Sequence, residues 1–237
     1  MRKDFRRTCL LALAIPFALA GCVKLARESP RLQLYVLGTG AAEALPSATT
    51  GAPPAARKAF RVGLRRLELA SHLSVPAIII RRGANELVVS EFHRWAGDLE
   101  QSINREVSVY LARTPRVRSV DVAPWTASAR HDVLVQLHVS RFEGIVVDSL
   151  ATEGRVHVIA GWDIVRPFNG AVLVRGSTDD RGGTFRVRDY ASLVSALDAA
   201  LSRVAVDIGA CLTRFPNDST PPASCGSVPT GTNDGGR

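Results

Sequence analysis

The sequence is poor in the patterns by which most activities are recognised. No G-x-S-x-G elbow, H-E-x-x-H helix or phosphate loop occurs in its 237 residues. Gly38-Thr39-Gly40 lacks the third glycine of a dinucleotide loop, and no helical pattern opens behind it. Cysteine is scarce, with four in all, too few for a disulfide-dense scaffold. The five histidines, His72, His93, His131, His138 and His157, show no short ligand spacing. His138 and His157 fall on the less apolar faces of strands expected to be neighbours and could meet there. No carboxylate pairs with both, and the pair is weighed as sheet-surface histidines. No metal site and no catalytic residue is assigned. There is no basic block either: the formal charge of +8 is mostly arginine spread along the chain, which excludes nucleic acid as a partner. A second apolar run long enough to cross a bilayer and an internal repeat are both missing.

What is present begins at the N-terminus. "MRKDFRR" is a basic n-region and "CLLALAIPFALAG" an apolar h-region ending in small residues. Together they read as a secretory signal over residues 1–21. The segment ends in "LAGC", Leu19 to Cys22, which resembles the lipobox of bacterial lipoproteins. That resemblance implies cleavage before Cys22 and covalent lipid on its thiol and new amine. Each buried CH2 of an acyl chain adds about 0.8 kcal/mol, so two or more chains hold a domain on a membrane. The signal carries +3 of the charge, leaving the mature chain near +5, enough for a weak attraction to anionic head groups. Val23 follows the cysteine where an inner-membrane retention signal would place Asp. By the usual sorting rule this favours the periplasmic face of the outer membrane. Cys9 leaves with the signal and Cys22 takes the lipid. Cys211 and Cys225 remain in an oxidising compartment, as a disulfide or as two free thiols.

The mature 216 residues suffice for one domain with a core. Residues 22–30 form a lipidated tether. Residues 31–215 form the domain, with an Ala-, Pro- and Gly-rich insertion at 39–59, and 216–237 read as a disordered tail. "RLQLYVLG" (31–38) and "FRVGLRRLELA" (60–70) alternate as strands do. "PAIIIRR" (76–82) and "ELVVSEF" (86–92) flank Gly83-Ala84-Asn85 as a hairpin. From Phe92 the apolar spacing turns to three and four, through Trp95, Leu99, Ile103, Val107 and Leu111. This predicts a helix over 91–113 with Ser90 as its cap and Glu91 at its positive end. Gly97 would then lie inside it, Arg94 and Asp98 would pair on its surface, and His93 would share a face with Glu100. Strands follow at 118–124, 132–144 and 154–167. Residues 133, 135, 137 and 139 oppose His138's face, and residues 156 to 164 alternate in the same way. Two more strands surround Asp179 to Gly183. A last helix starts at Asp189, with Tyr190, Leu193, Val194, Leu197, Leu201, Val204 and Ile208 as its stripe. The fold class is α+β, a mostly antiparallel sheet with two amphipathic helices packed on one face.

The densest polar stretch is "SEFHRWAGDLEQSI" (90–103). Trp95 belongs to the apolar stripe and the charges to ordinary helix pairing, so a scaffold outweighs a catalytic site there. The block from Val62 to Ala112 resembles the PqiC-like family of ABC-type transport auxiliary lipoproteins. It carries the "L-x-x-P-x-I" segment as Leu73 to Ile78, the "R-x-G-x-NEL" turn as Arg81 to Leu87, and "E-x-HRWA-x-x-LE" as Glu91 to Glu100. Its motif residues here are Asn85, Glu86, Leu87, Glu91, His93, Arg94, Trp95 and Glu100. The resemblance implies a non-enzymatic outer-membrane lipoprotein that docks the bridging MCE-domain protein of an intermembrane phospholipid transport system. It also implies assembly as a homo-oligomeric ring and no cofactor beyond the lipid on Cys22. The alternative is a ring-forming envelope-assembly or secretion lipoprotein without lipid cargo.

Overall fold

Two long strands, β7 (Val133–Val146) and β8 (Glu153–Val165), form the spine of the domain. They pair antiparallel from Leu134–Val165 to Ile145–Arg155. A computed structural model describes residues 30–38, 59–126, 128–215 and 225. Gln33–Arg237 make one unit, and residues 1–32 another, of which only 30–32 are described. Cys22, the signal, most of the 39–59 insertion and most of the tail lie outside the described residues.

β9 (Val172–Asp180) and β10 (Thr184–Arg186) lie end to end along the outer edge of β8, both antiparallel to it. Along the other edge of the spine, three strands follow β7 in succession and parallel to it: β2 (Phe60–Leu64), β3 (Glu68–Leu69) and β4 (Ala77–Arg82). The sheet then forks. β6 (Val117–Val122) extends β2 in parallel. β5 (Glu86–Trp95) extends β4 antiparallel through a turn where Gly83 has φ +58°, and β1 (Gln33–Tyr35) extends β5 in parallel. The sheet is therefore mixed, with its longest ladders antiparallel.

Both helices cover one face. α1 (Leu99–Leu111) joins the two arms of the fork, and α2 (Tyr190–Arg214) follows β10. Leu99, Ile103, Val107 and Leu111 recur every four residues and are all buried. Leu193, Leu197, Leu201, Val204 and Ile208 do the same for α2. They meet Val135, Leu137, Val156, Val158 and Trp162 of the spine in one core.

The helix expected over 91–113 starts eight residues later. β5 runs on to Trp95, and the cap is Asp98, whose side chain accepts from the Gln101 amide at 2.8 Å, not Ser90. The misleading spacing comes from a bulge. Ile79 pairs with Val89 and Ala77 with Arg94, so β5 holds three extra residues between these pairs. The Ser90 hydroxyl sits inside the bulge and accepts from the His93 amide. A two-residue period broken by such an insertion imitates helical spacing. Gly97 consequently lies in the bend before α1, and Arg94 and Asp98 do not share a helix.

Candidate functional site

The bulged segment holds β1 in place. The His93 ring stacks on Tyr190 at the start of α2, centroids 3.7 Å apart and planes 10° apart. Its Nδ1 lies 3.1 Å from the Tyr35 hydroxyl of β1. That hydroxyl also donates to Gln33 Oε1, at 2.7 Å. Burial, Tyr190 and Asp189 push the Tyr35 phenol above its ordinary value. The Trp95 amide donates to Pro76 O, and the Ala96 amide to Tyr35 O. The Trp95 ring is buried against Phe142. Of the other motif residues, Asn85 and Glu91 are exposed, Glu86 accepts from Arg82, and Leu87 packs against the core. Arg94 is exposed opposite Leu34. Glu100 accepts from Arg66 Nε at 2.7 Å and does not share a face with His93.

The helix-free face of the spine carries charge in two clusters. In one, Glu143 accepts from Arg81 Nε at 2.6 Å and Nη2 at 3.1 Å, with Arg141 at 3.7 Å. Glu143 is 0% exposed and the Arg81 side chain 13%, although no helix among the described residues covers them. Beside it His157 Nε2 lies 2.8 Å from Asp179, which also takes both nitrogens of Arg181. The Arg181 guanidinium, ahead of His157, holds the Asp179 carboxyl below the usual range. In the other cluster, His138 lies between Glu68 at 3.0 Å and Asp163 at 4.0 Å, and Arg175 reaches Asp163 at 3.5 Å. His138 and His157 do not meet. Their register partners are Gly161 and Glu143, and each histidine takes its own carboxylate. Among the described residues no three metal-ligating side chains converge.

The sequence showed the two faces but not the meeting of Arg81, Arg141 and Glu143, because β7 contains its own irregularity between Val139 and Arg141. Up to Val139 the odd positions face the core; beyond it the even ones do. The polar sets 136–138 and 141–143 share one face but not one parity. The alternation of each half was visible, and the shift between them was not.

On the helix side, α1 and α2 meet at a polar seam. Tyr110 donates to Asp198 Oδ2 at 2.8 Å, and Glu106 stands beside them, buried. Burial, and then Asp198, push the Glu106 carboxyl above its ordinary value. A Cβ on Gly38, whose φ is +88°, would collide with that carboxyl. Cys211 and Cys225 form a disulfide, their Cα atoms 5.2 Å apart and both residues in the core. A cleft of about 580 Å³ opens at the fork, lined by Arg66, Glu100, Asn104 and Pro124 among others, and the Arg66–Glu100 pair spans it.

Residues 44–209 match the model of a family described as the ABC-type transport auxiliary lipoprotein component. Comparison with curated proteins returns no match. Among solved structures, a Xanthomonas campestris protein of the DUF330 family superposes with TM-score 0.52 at 16% identity, covering 65% of this chain and 83% of that one. It shares the fold. A PelC dodecamer from Paraburkholderia phytofirmans gives TM-score 0.38 at 15% identity over 64% and 88%. A minor lipoprotein from Acinetobacter baumannii gives 0.35 at 10% over 62% and 92%.

Proposed function

The chain belongs to the ABC-type transport auxiliary lipoprotein family, and from that premise we propose a lipid-anchored, non-enzymatic docking subunit of an intermembrane phospholipid transport system. Cys22 carries the lipid, the outer membrane holds it, and an MCE-domain protein is the partner. The observation that carries the reading is the family match across the α+β domain, joined to the "LAGC" motif upstream of it. The bulged motif then has a mechanical task. Through His93, Trp95 and Ala96 it ties β1, the strand nearest the tether in sequence, into the sheet, so that load on the anchor reaches the domain.

The partner meets the helix-free face around Glu68, His138 and Arg175, where exposed charges of both signs offer a polar contact. Purification in detergent with the MCE-domain protein tests this directly. The pair should elute together, and charge reversal at Arg175 with Glu68 should release the partner while the domain stays folded. An unmodified Cys22 by intact mass, or no MCE partner in any membrane extract, would sink it. Native mass spectra of the same preparation read the ring expected of the family. A ring without phospholipid would favour the envelope-assembly alternative.

A further inference from the structure

We propose that the β7–β8 turn, residues 147–152, is a membrane-seating tip that rests in the headgroup layer of the bilayer to which Cys22 tethers the chain. The inference rests on the lipid-anchor reading above. Val147 and Leu150 are 82% and 88% exposed at this turn, far more than an aliphatic side chain gains by facing water. The tip is shaped, because Asp148 Oδ1 accepts from the Leu150 amide at 2.8 Å and sets Leu150 beyond the strand ends. The β4–β5 turn lies beside it, with the Gly83 amide donating to Val146 O, and so does the β10–α2 turn, with the Val187 amide donating to Thr152 O.

Around the tip, Arg155, Arg186 and Arg188 are exposed, and their guanidinium groups have no ion-pair partner among the described residues. Arg188 is held there at φ +74°. The nearby acids are mostly occupied. Asp148 serves the turn, Asp189 caps α2 through the Ser192 amide, and Glu86 takes Arg82. Glu153 stands opposite Arg186 in the β8–β10 register. Aliphatic side chains with free cations behind them match a bilayer, where the chains enter the interface and guanidinium groups meet lipid phosphates.

The path of β1 points the same way. It runs parallel to β5 and leads away from the 83–85 turn, with Gln33 level with His93. Between its pairs with Glu86 and Arg94, β4 spans only five residues, so that level lies about 15 Å from the tip end. Cys22 stands eleven residues before Gln33, a reach of about 37 Å at full extension. Through β4 and β7 the level of Gln33 falls near the middle of β8, whose opposite end lies about 20 Å beyond it. There the β8–β9 turn carries Phe168, 96% exposed, which serves as the internal control.

The test uses the mature lipidated protein on vesicles of phosphatidylethanolamine with phosphatidylglycerol, carrying the fluorophore NBD at Leu150→Cys or at Phe168→Cys. NBD at 150 should brighten about threefold on entering the headgroup boundary, and NBD at 168 should stay unchanged. Replacing Arg186 and Arg188 by Gln should cut the brightening, most of all on vesicles rich in phosphatidylglycerol. No brightening at 150, equal brightening at both positions, or brightening that needs an added MCE-domain protein would each overturn the proposal. Intact mass at Cys22 separates the two readings. If the lipid is absent the anchor reading fails, and the same labelled protein added to vesicles still decides the tip by the same three criteria.

Discussion

The two faces of the β7–β8–β9 sheet are made by the same strands and sealed in different ways. On one, Leu137, Val156, Val158, Trp162 and Ile164 are closed off by two helices. On the other, none of the described elements lies over the sheet, yet Glu143 is as inaccessible as any core leucine, with Arg81 and Arg141 against it and His157 level with it on the next strand. Burial by apolar cover is stabilising in itself. Burial by ion pairs is close to neutral when complete and costly when broken, because the desolvated charge then has no partner. One face should tolerate no loss of volume, and the other no loss of a partner.

That contrast can be broken or sharpened by substitution. Trp162→Ala should have the largest effect, about 4 kcal/mol by chemical denaturation, since it empties the centre of the core. Arg81→Ala should cost about 3 kcal/mol by leaving Glu143 buried without its two-nitrogen partner, with only Arg141 at 3.7 Å to answer it. The double change Arg81→Met with Glu143→Leu should come back to within about 1 kcal/mol of the parent. If the double variant is as unstable as the single one, the charged face is not a self-sealed layer. Ser90→Ala, which removes the hydroxyl inside the bulge, should cost about 1 kcal/mol and speed amide exchange at Ala96, where β5 holds β1. Arg175→Ala lies at the exposed end of the charged face and should stay within about 0.5 kcal/mol. A loss there as large as at Arg81 would erase the distinction between its buried and open clusters.

Much of this was legible in the chain. The alternation at 133–139 and 156–164 assigned both faces of the spine correctly, and Asp189 was read as the cap of the last helix, where it accepts from the Ser192 amide. The eight motif positions were named through a family resemblance, but the segment from Glu91 was given the wrong element. Ser90 to Trp95 hold a bulge, and the apolar stripe of α1 continues the series that the bulge began. Residues Arg81, Glu143, Asp163 and Asp179 went unmarked for a related reason. Their meeting depends on which strand lies beside which.

By itself the sequence determined the alternation of the spine, the cap of the last helix and the class of the fold, because each of these is a local property of spacing and residue type. The parallel placement of β2, β3 and β4 along β7, the fork bridged by α1, and the ion pairs that close the uncovered face were decided only by the tertiary structure. A parallel register joins residues far apart in the chain, and a bulge changes which of them point the same way. Neither leaves a periodic mark. The exposed tip at Val147 and Leu150 is a case of both: two aliphatic residues in a turn are unremarkable in the chain, and acquire meaning once the sheet sets them beside three arginines at the end from which β1 enters.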